Sequence, residues 1–354
     1  MSDTTEGPRR RRPRYSGKYP RRFEDKYKEL NPDKYPETIT KVLAAGKTPA
    51  GTHVPIMLGE ILDILNPQPG EKAVDCTLGY GGHAQEILGR LGVSGCLLGL
   101  DVDPIEHPRT VTRLRDLGFG EDRFLTQRAN FAGLRTILSS LNWSGADCIL
   151  ADLGVSSMQI DTPARGFSLK ISGPLDMRMN PQKGRPASDL LATISTDDLA
   201  LLLRENSDEP RADHLAQGLA GRRFEQTTEL KEAIERLLAK VGAEEREKSI
   251  RRVFQALRIA VNAEFAVLET FLNQLPSSLN PGGRVGILTF HSGEDRRVKK
   301  SFQEGLRAGL YASISDDVIR AGSEERRSNP RSTSAKLRWA VKAIASTSPE
   351  HSDP

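Results

Sequence analysis

The sequence predicts an α/β protein whose parallel sheet is interrupted by an all-helical segment. Three observations carry this expectation. Strand-like and helix-like stretches alternate between residues 72 and 152. "DCTLGYGGHAQEIL" (75–88) reads as strand, glycine turn and helix. Residues 161–250 hold several helical patterns and no convincing strand. Repeated strand–helix units imply right-handed crossovers and a sheet covered on both faces.

In chain order, residues 1–51 form a basic extension. Residues 1–50 hold 13 Lys and Arg against 7 Asp and Glu, a net charge of +6 in a chain whose total is +4. Proline, arginine and tyrosine with almost no aliphatic residues cannot build a core, so the first twenty or so residues are expected to be disordered alone. Basic runs interleaved with Tyr15, Tyr19, Phe23 and Tyr27 suit phosphate contact and base stacking, and suit a solubilising tail equally well. "VPIMLGEILDIL" (54–65) has helical apolar spacing that "NPQPG" breaks. Strands are expected at 72–76, 96–101, 123–127 and 147–152, with helices at about 82–91, 105–117 and 131–141.

Past residue 161, "TDDLALLLREN" and "TTELKEAIERLLAKV" are helical. One long amphipathic helix follows, with Val253, Leu257, Val261, Phe265, Leu268, Leu272 and Leu275 on its apolar face and "PGG" as its end. "RVGILTF" (284–290) is a buried strand and "AKLRWAVKAI" a last one. The domain boundaries expected are 52–160 and 251–345 for the two parts of the α/β domain, 161–250 for the helical insert, and 346–354 for a tail.

No apolar run approaches the ~18 residues that span a bilayer, so a soluble protein with no membrane partner is expected. No signal-peptide pattern opens the chain. Cys76, Cys96 and Cys148 lie far apart in apolar runs without metal-ligand spacing, which reads as reduced thiols in a cytoplasmic protein with no metal.

The glycine turn addresses a nucleotide. A P-loop is excluded because His83-Ala84, not Lys-Ser/Thr, follows Gly82. Gly79-Tyr80-Gly81-Gly82-His83-Ala84 formally fits a dinucleotide turn, and Asp101 lies 22 residues beyond Gly79. Against that reading, Asp75 at the strand tip would repel pyrophosphate, and three residues separate it from the first glycine. A cationic ligand without phosphate, S-adenosylmethionine, tolerates the acid, and Asp101 can accept both of its ribose hydroxyls. Asp152 ends the fourth strand on the same rim. It suits a methyltransferase acting on an exocyclic amine, whose delocalised lone pair needs acceptors for its N–H groups, or it caps the next turn.

"HVPIMLGEIL" (53–62), "DCTLGYGGH" (75–83), "DVDP" (101–104), "DLGVSSMQID" (152–161), "RGFS" (165–168), "GPLDMRMNP" (173–181), "FQALRIAVNAEF" (254–265), "GGRVGILTFHSGEDRRVK" (282–299) and "NPRSTSAKLR" (329–338) resemble the RsmH (MraW) family. These are S-adenosylmethionine-dependent methyltransferases of the N4 amine of one cytosine in small-subunit (16S) ribosomal RNA. The resemblance runs in order from about 53 to 340. It implies a class I, Rossmann-like methyltransferase sheet with an inserted helical domain. It also implies that Gly81, Gly82 and His83 cradle the methionine part of the cofactor, Asp101 holds the ribose, Phe131 packs on the adenine, and Asp152 and Gln159 complete the pocket. The substrate it implies is small-subunit ribosomal RNA or the assembled subunit, with a homodimer left open. Ala84 departs from the family's serine and Gly293 from its leucine, the stretch 300–328 is shorter, and the basic extension lies outside the common core.

His291 follows the strand at 284–290 and could orient the cytosine, accept a proton or tie its loop down. Gln255, Arg258 and Asn262 form a polar stripe, either solvated or lining an RNA cleft. Arg165, Arg178, Arg326, Arg327, Arg331 and Lys336 are candidate phosphate contacts. The alternatives to a cytosine-N4 enzyme are a methyltransferase of another RNA or DNA amine, a nicotinamide-dependent dehydrogenase, and a non-catalytic ribosome-assembly factor.

Overall fold

The computed structural model describes residues 55–344; the expectations for the basic extension and the tail lie outside the described residues. Helix α1 (Leu58–Leu65) leads into β1 (Lys72–Asp75), α2 (Gly82–Leu91), β2 (Cys96–Asp101), α3 (Glu106–Asp116) and β3 (Phe124–Arg128). A 3-10 turn at Phe131–Gly133, α4 (Leu134–Ser140) and β4 (Ala146–Asp152) complete the first half of the sheet. The second half comprises β5 (Leu279–Thr289), β6 (Tyr311–Ile314) and β7 (Lys336–Lys342). The strand order is β3-β2-β1-β4-β5-β7-β6, with β7 antiparallel to its two neighbours. This is the Rossmann-like methyltransferase sheet, and its order reverses between β1 and β4, where open α/β sheets take ligands.

Alternate residues of each strand feed opposite cores. Val74, Leu98, Leu100, Ile149, Ala151, Val285 and Ile287 pack with Phe271 and Leu275 on one face. Ala73, Leu97, Cys148, Leu150 and Leu288 pack with Ile61, Leu65, Ile87 and Leu88 on the other. Burial on both faces explains why these strands read as continuous apolar runs. Cys76 and Cys148 are buried and Cys96 half-buried, all three unpaired.

Between β4 and β5 lie α5 (Ser157–Asp161), α6 (Ala187–Thr193), α7 (Thr196–Ser207), α8 (Ala212–Leu219), α9 (Thr227–Leu237) and α10 (Ala243–Asn262). The last five share a separate apolar cluster that includes Leu191, Leu203, Leu215, Leu230, Val253 and Leu257. The boundary expected at residue 250 therefore falls inside α10, whose apolar residues to Leu257 belong to that cluster.

Three features differ from expectation. The single long amphipathic helix is two, α10 and α11 (Glu264–Ser278), because Ala263 adopts a left-handed conformation (φ 50°). Apolar spacing survives such a break, so periodicity alone cannot reveal it. Pro281-Gly282-Gly283 does not end the helix but lies within β5, where the register against β4 shifts between Ala146 and Cys148. A Cβ on Gly283 would sit 2.8 Å from Asn280 O and 2.9 Å from Ala146 O, so only glycine lets the irregular strand pass. Finally, the edge strand β6 and the short helix at Ser323–Ser328 had no signal long enough to read.

Candidate active site

The carboxyl ends of β1, β2 and β4 bring Asp75, Asp101 and Asp152 to one rim. The loop after β1 is tied to both neighbours. Thr77 donates its backbone N–H to Asp75 Oδ1 (3.0 Å), and its Oγ1 accepts the N–H of Asp152 (2.7 Å). Gly79 donates to Asp101 Oδ2 (2.7 Å), and Asp103 donates to Asp101 Oδ1 (2.8 Å). Thr77 thus joins the two halves of the site, a role that a threonine between an acid and a glycine turn does not advertise in sequence.

The glycines have steric reasons. Gly81, the residue before α2, is left-handed (φ 77°), and a Cβ there would lie 2.8 Å from Thr110 Cγ2. A Cβ on Gly82 would lie 2.6 Å from Pro55 Cγ. Gly79 is also left-handed (φ 48°). His83, in the first turn of α2, is buried and donates from Nε2 to Ile56 O (3.0 Å). Phe131 follows β3 and stacks edge-on against Phe271, centroids 5.2 Å apart.

Electrostatically the rim awaits a cation. Burial pushes Asp75 up to about 7, with the Asp101 charge adding to it. Burial likewise raises Asp101 to about 6, against the hydrogen bonds from Asp103 and Gly79. Asp152 rises to about 8 through burial and then through Asp75 and Glu294. Its side chain keeps 28% of its surface accessible, enough for a ligand to touch. Among the described residues no lysine or arginine pairs with any of the three acids. Three desolvated acids, which ionise more readily beside a positive charge and less readily beside a negative one, and a glycine-lined approach fit a cationic, phosphate-free ligand such as S-adenosylmethionine better than a pyrophosphate.

Gln159 closes a capping box with Ser156 and donates from Nε2 to Asp103 Oδ2 (2.8 Å). Arg165 donates to the same oxygen (2.7 Å). Asp103 was unremarkable in sequence beyond its place in "DVDP", yet it is 1% exposed and takes both donors. His291 precedes α12 (Ser292–Arg307) as its N-cap, Nδ1 accepting from Glu294 N (3.4 Å). Its buried Nε2 lies 3.2 Å from Glu294 Oε1 without hydrogen-bond alignment. Glu264, His291 and Glu294 are spaced as metal ligands would be, but Arg258 holds Glu264 through two 2.8 Å bonds and supplies the positive charge itself.

Two groups of polar residues have partners within the chain. Asn262 accepts from Met179 N (2.7 Å) and donates to Met177 O (2.8 Å), Arg258 is paired with Glu264, and Gln255 donates to Asn206 O. The polar stripe is half-buried and each of its members is hydrogen-bonded within the chain. Of the six candidate phosphate contacts, Arg165, Arg178, Arg331 and Lys336 pair with Asp103, Asp176, Asp161 and Asp295. Arg326 and Arg327 remain exposed.

The profile of the MraW methylase family matches residues 50–343. Ribosomal RNA small subunit methyltransferase H 1 of Lachnoclostridium phytofermentans is 49% identical over 343 residues, covering 94% of this chain and 93% of that protein. The protein of the same name from Agathobacter rectalis is also 49% identical over 343 residues, covering 94% of this chain and 98% of its own. Ribosomal RNA small subunit methyltransferase H of Oleidesulfovibrio alaskensis is 39% identical over 309 residues, covering 81% and 94%. With a rim of strand-tip acids around a glycine turn and similarity along nearly its whole described length, the chain belongs to the MraW methylase family.

Proposed function

We propose that the chain transfers a methyl group from S-adenosylmethionine to the exocyclic N4 amine of a cytosine in small-subunit (16S) ribosomal RNA. The observation that carries the reading is Asp152, a partly accessible acid at the end of β4 beside Asp75 and within one residue–residue link of the glycine loop. The cofactor supplies a methyl group made electrophilic by a sulfonium charge. Asp75 and Asp101 favour that charge and the ribose hydroxyls, while Gly81, Gly82 and His83 give the ligand close approach to the backbone. A cation beside the acids lowers their pKa values, so Asp152 becomes an ionised acceptor in the loaded enzyme.

Asp152 then takes a hydrogen bond from the cytosine N–H. This favours a pyramidal nitrogen whose lone pair is free of the ring, and it holds that nitrogen in line for displacement. The target base is splayed from its stack, as single-stranded RNA readers require. Mass spectrometry of ribosomal RNA from cells with and without the gene tests this: one methylcytidine should vanish with the gene. Unchanged small-subunit RNA would refute it, and a lost methyl on another base would move the activity to a different amine.

A further inference from the structure

"RGFS" and "GPLDMRMNP" stand out in the sequence, yet neither supplies a group to the acid rim. Arg165 connects them. Its side chain is 7% exposed, and it donates to Asp103 Oδ2 (2.7 Å), to Arg178 O (3.1 Å) and to Met179 O (2.7 Å). Asp103 in turn donates its N–H to Asp101, whose other oxygen takes the N–H of Gly79. A continuous set of hydrogen bonds thus runs from the glycine loop to residues 178–179.

The far end is anchored under strain. Met177 is left-handed (φ 64°) although it is not glycine, and its N–H donates to Arg165 O (3.1 Å). Asn262 holds Met177 O and Met179 N from the end of α10. Gly166 is also left-handed, and a Cβ on it would collide with Pro174 O and Asp176 N. Backbone held this far from ordinary geometry is over-determined by its surroundings, a pattern that marks functional segments.

Resting on the proposed function, we propose that Arg165 is a positioning residue that joins the cofactor shelf to the 176–180 segment, so that donor and RNA bind cooperatively through it. A ligand hydrogen-bonded to Asp101 fixes the 101–103 turn, and Arg165 passes that order to the segment beside α10. RNA contacting the segment does the same in reverse, as linkage requires.

Calorimetry on the full chain tests this, measuring S-adenosylhomocysteine affinity with and without purified small subunits. In the native protein the subunit should tighten the nucleoside by about five-fold or more. Arg165→Gln should bind the nucleoside alone within about two-fold of native and lose the tightening, with KM for the subunit raised more than kcat is lowered. Arg165→Lys, which keeps the charge but not the three-way fork, should recover only part of it. Asn262→Ala, which leaves Asp103 untouched, should also weaken the coupling and serves if Arg165→Gln does not fold. Absence of coupling in the native protein, or full coupling in Arg165→Gln (in Asn262→Ala where Arg165→Gln does not fold), would overturn the proposal. Failure of the native chain to methylate small-subunit RNA at all would instead overturn the underlying function.

Discussion

His83 Nδ1 lies 3.8 Å from Asp152 Oδ2, while its Nε2 is committed to Ile56 O. Burial drives His83 down to about 4, so the ring is neutral and turns a lone pair toward the acid. Burial and the charges of Asp75 and Glu294 drive Asp152 up to about 8. The two shifts agree: before ligand arrives, the proton between the pair favours the Asp152 carboxyl, and the imidazole keeps only the Nε2 hydrogen that it donates to Ile56 O.

Asp152→Asn should therefore separate activity from stability. Losing the anionic acceptor is expected to lower kcat by about 10²–10³-fold, the scale set by removing one transition-state hydrogen-bond partner. A carboxyl whose folded pKa is raised is least costly while protonated. Its share of stability is complete below the unfolded value of about 4 and is lost as pH rises through about 8. The amide escapes that loss, so the melting temperature of the variant relative to native should climb between pH 5 and pH 9. Near-native turnover would remove Asp152 from the chemistry.

Donor binding should carry a matching proton signature. Asp101, Asp75 and Asp152 sit at about 6, about 7 and about 8 without ligand, and a sulfonium beside them stabilises their charged forms. Binding then expels protons, and affinity for S-adenosylmethionine should rise from pH 5.5 to pH 8.5. Titrations in buffers of different ionisation enthalpy would measure the protons released. S-adenosylhomocysteine, with a neutral sulfur, should show a flatter profile. Equal pH dependence for the two would mean that the acids do not sense the sulfonium.

The sheet was legible because its strands are buried on both faces, and β2 runs over the residues expected for it, Cys96–Asp101. Strand-tip acids and glycines were legible because each sits at a break between two periodicities. What could not be read was tertiary satisfaction. Arg165 and Arg331 look like any surface arginine until Asp103 and Asp161 arrive from elsewhere in the fold. The break at Ala263 was hidden because apolar spacing runs across it, and the contacts on either side of it, Asn262 on Met177 and Arg258 on Glu264, appear only in the fold. Gly293, where the family carries leucine, finds its reason in Phe265, whose Cζ would lie 2.6 Å from an added Cβ.

Gly81→Ala should damage the donor site through the backbone. At φ 77° an alanine is strained by about 1–2 kcal/mol, and its Cβ would press on Thr110 and Leu114 of α3. The loop can relax only by moving the backbone proposed to approach the methionine part of the ligand. The expected result is at least about a ten-fold loss of S-adenosylmethionine affinity, equivalent to that strain, with a lower melting temperature. Titration calorimetry and thermal unfolding measure the two; an alanine variant that binds normally would show the left-handed turn to be dispensable.

His291 is expected to act on structure and not on protons. Its Nδ1 accepts the Glu294 N–H at the start of α12, and its ring leans on Phe265 with centroids 5.8 Å apart. A base would need a free, aligned nitrogen, whereas Nδ1 is engaged and Nε2 is buried against Glu294. His291→Ala should cost about 1 kcal/mol of stability, the usual price of a lost N-cap, while kcat stays within about ten-fold of native. His291→Asn, a good N-cap that cannot shuttle protons at neutral pH, should regain much of the stability with the same turnover. If both variants fold normally and both lose activity by more than about a thousand-fold, the imidazole takes part in the chemistry, and its capping bond is incidental.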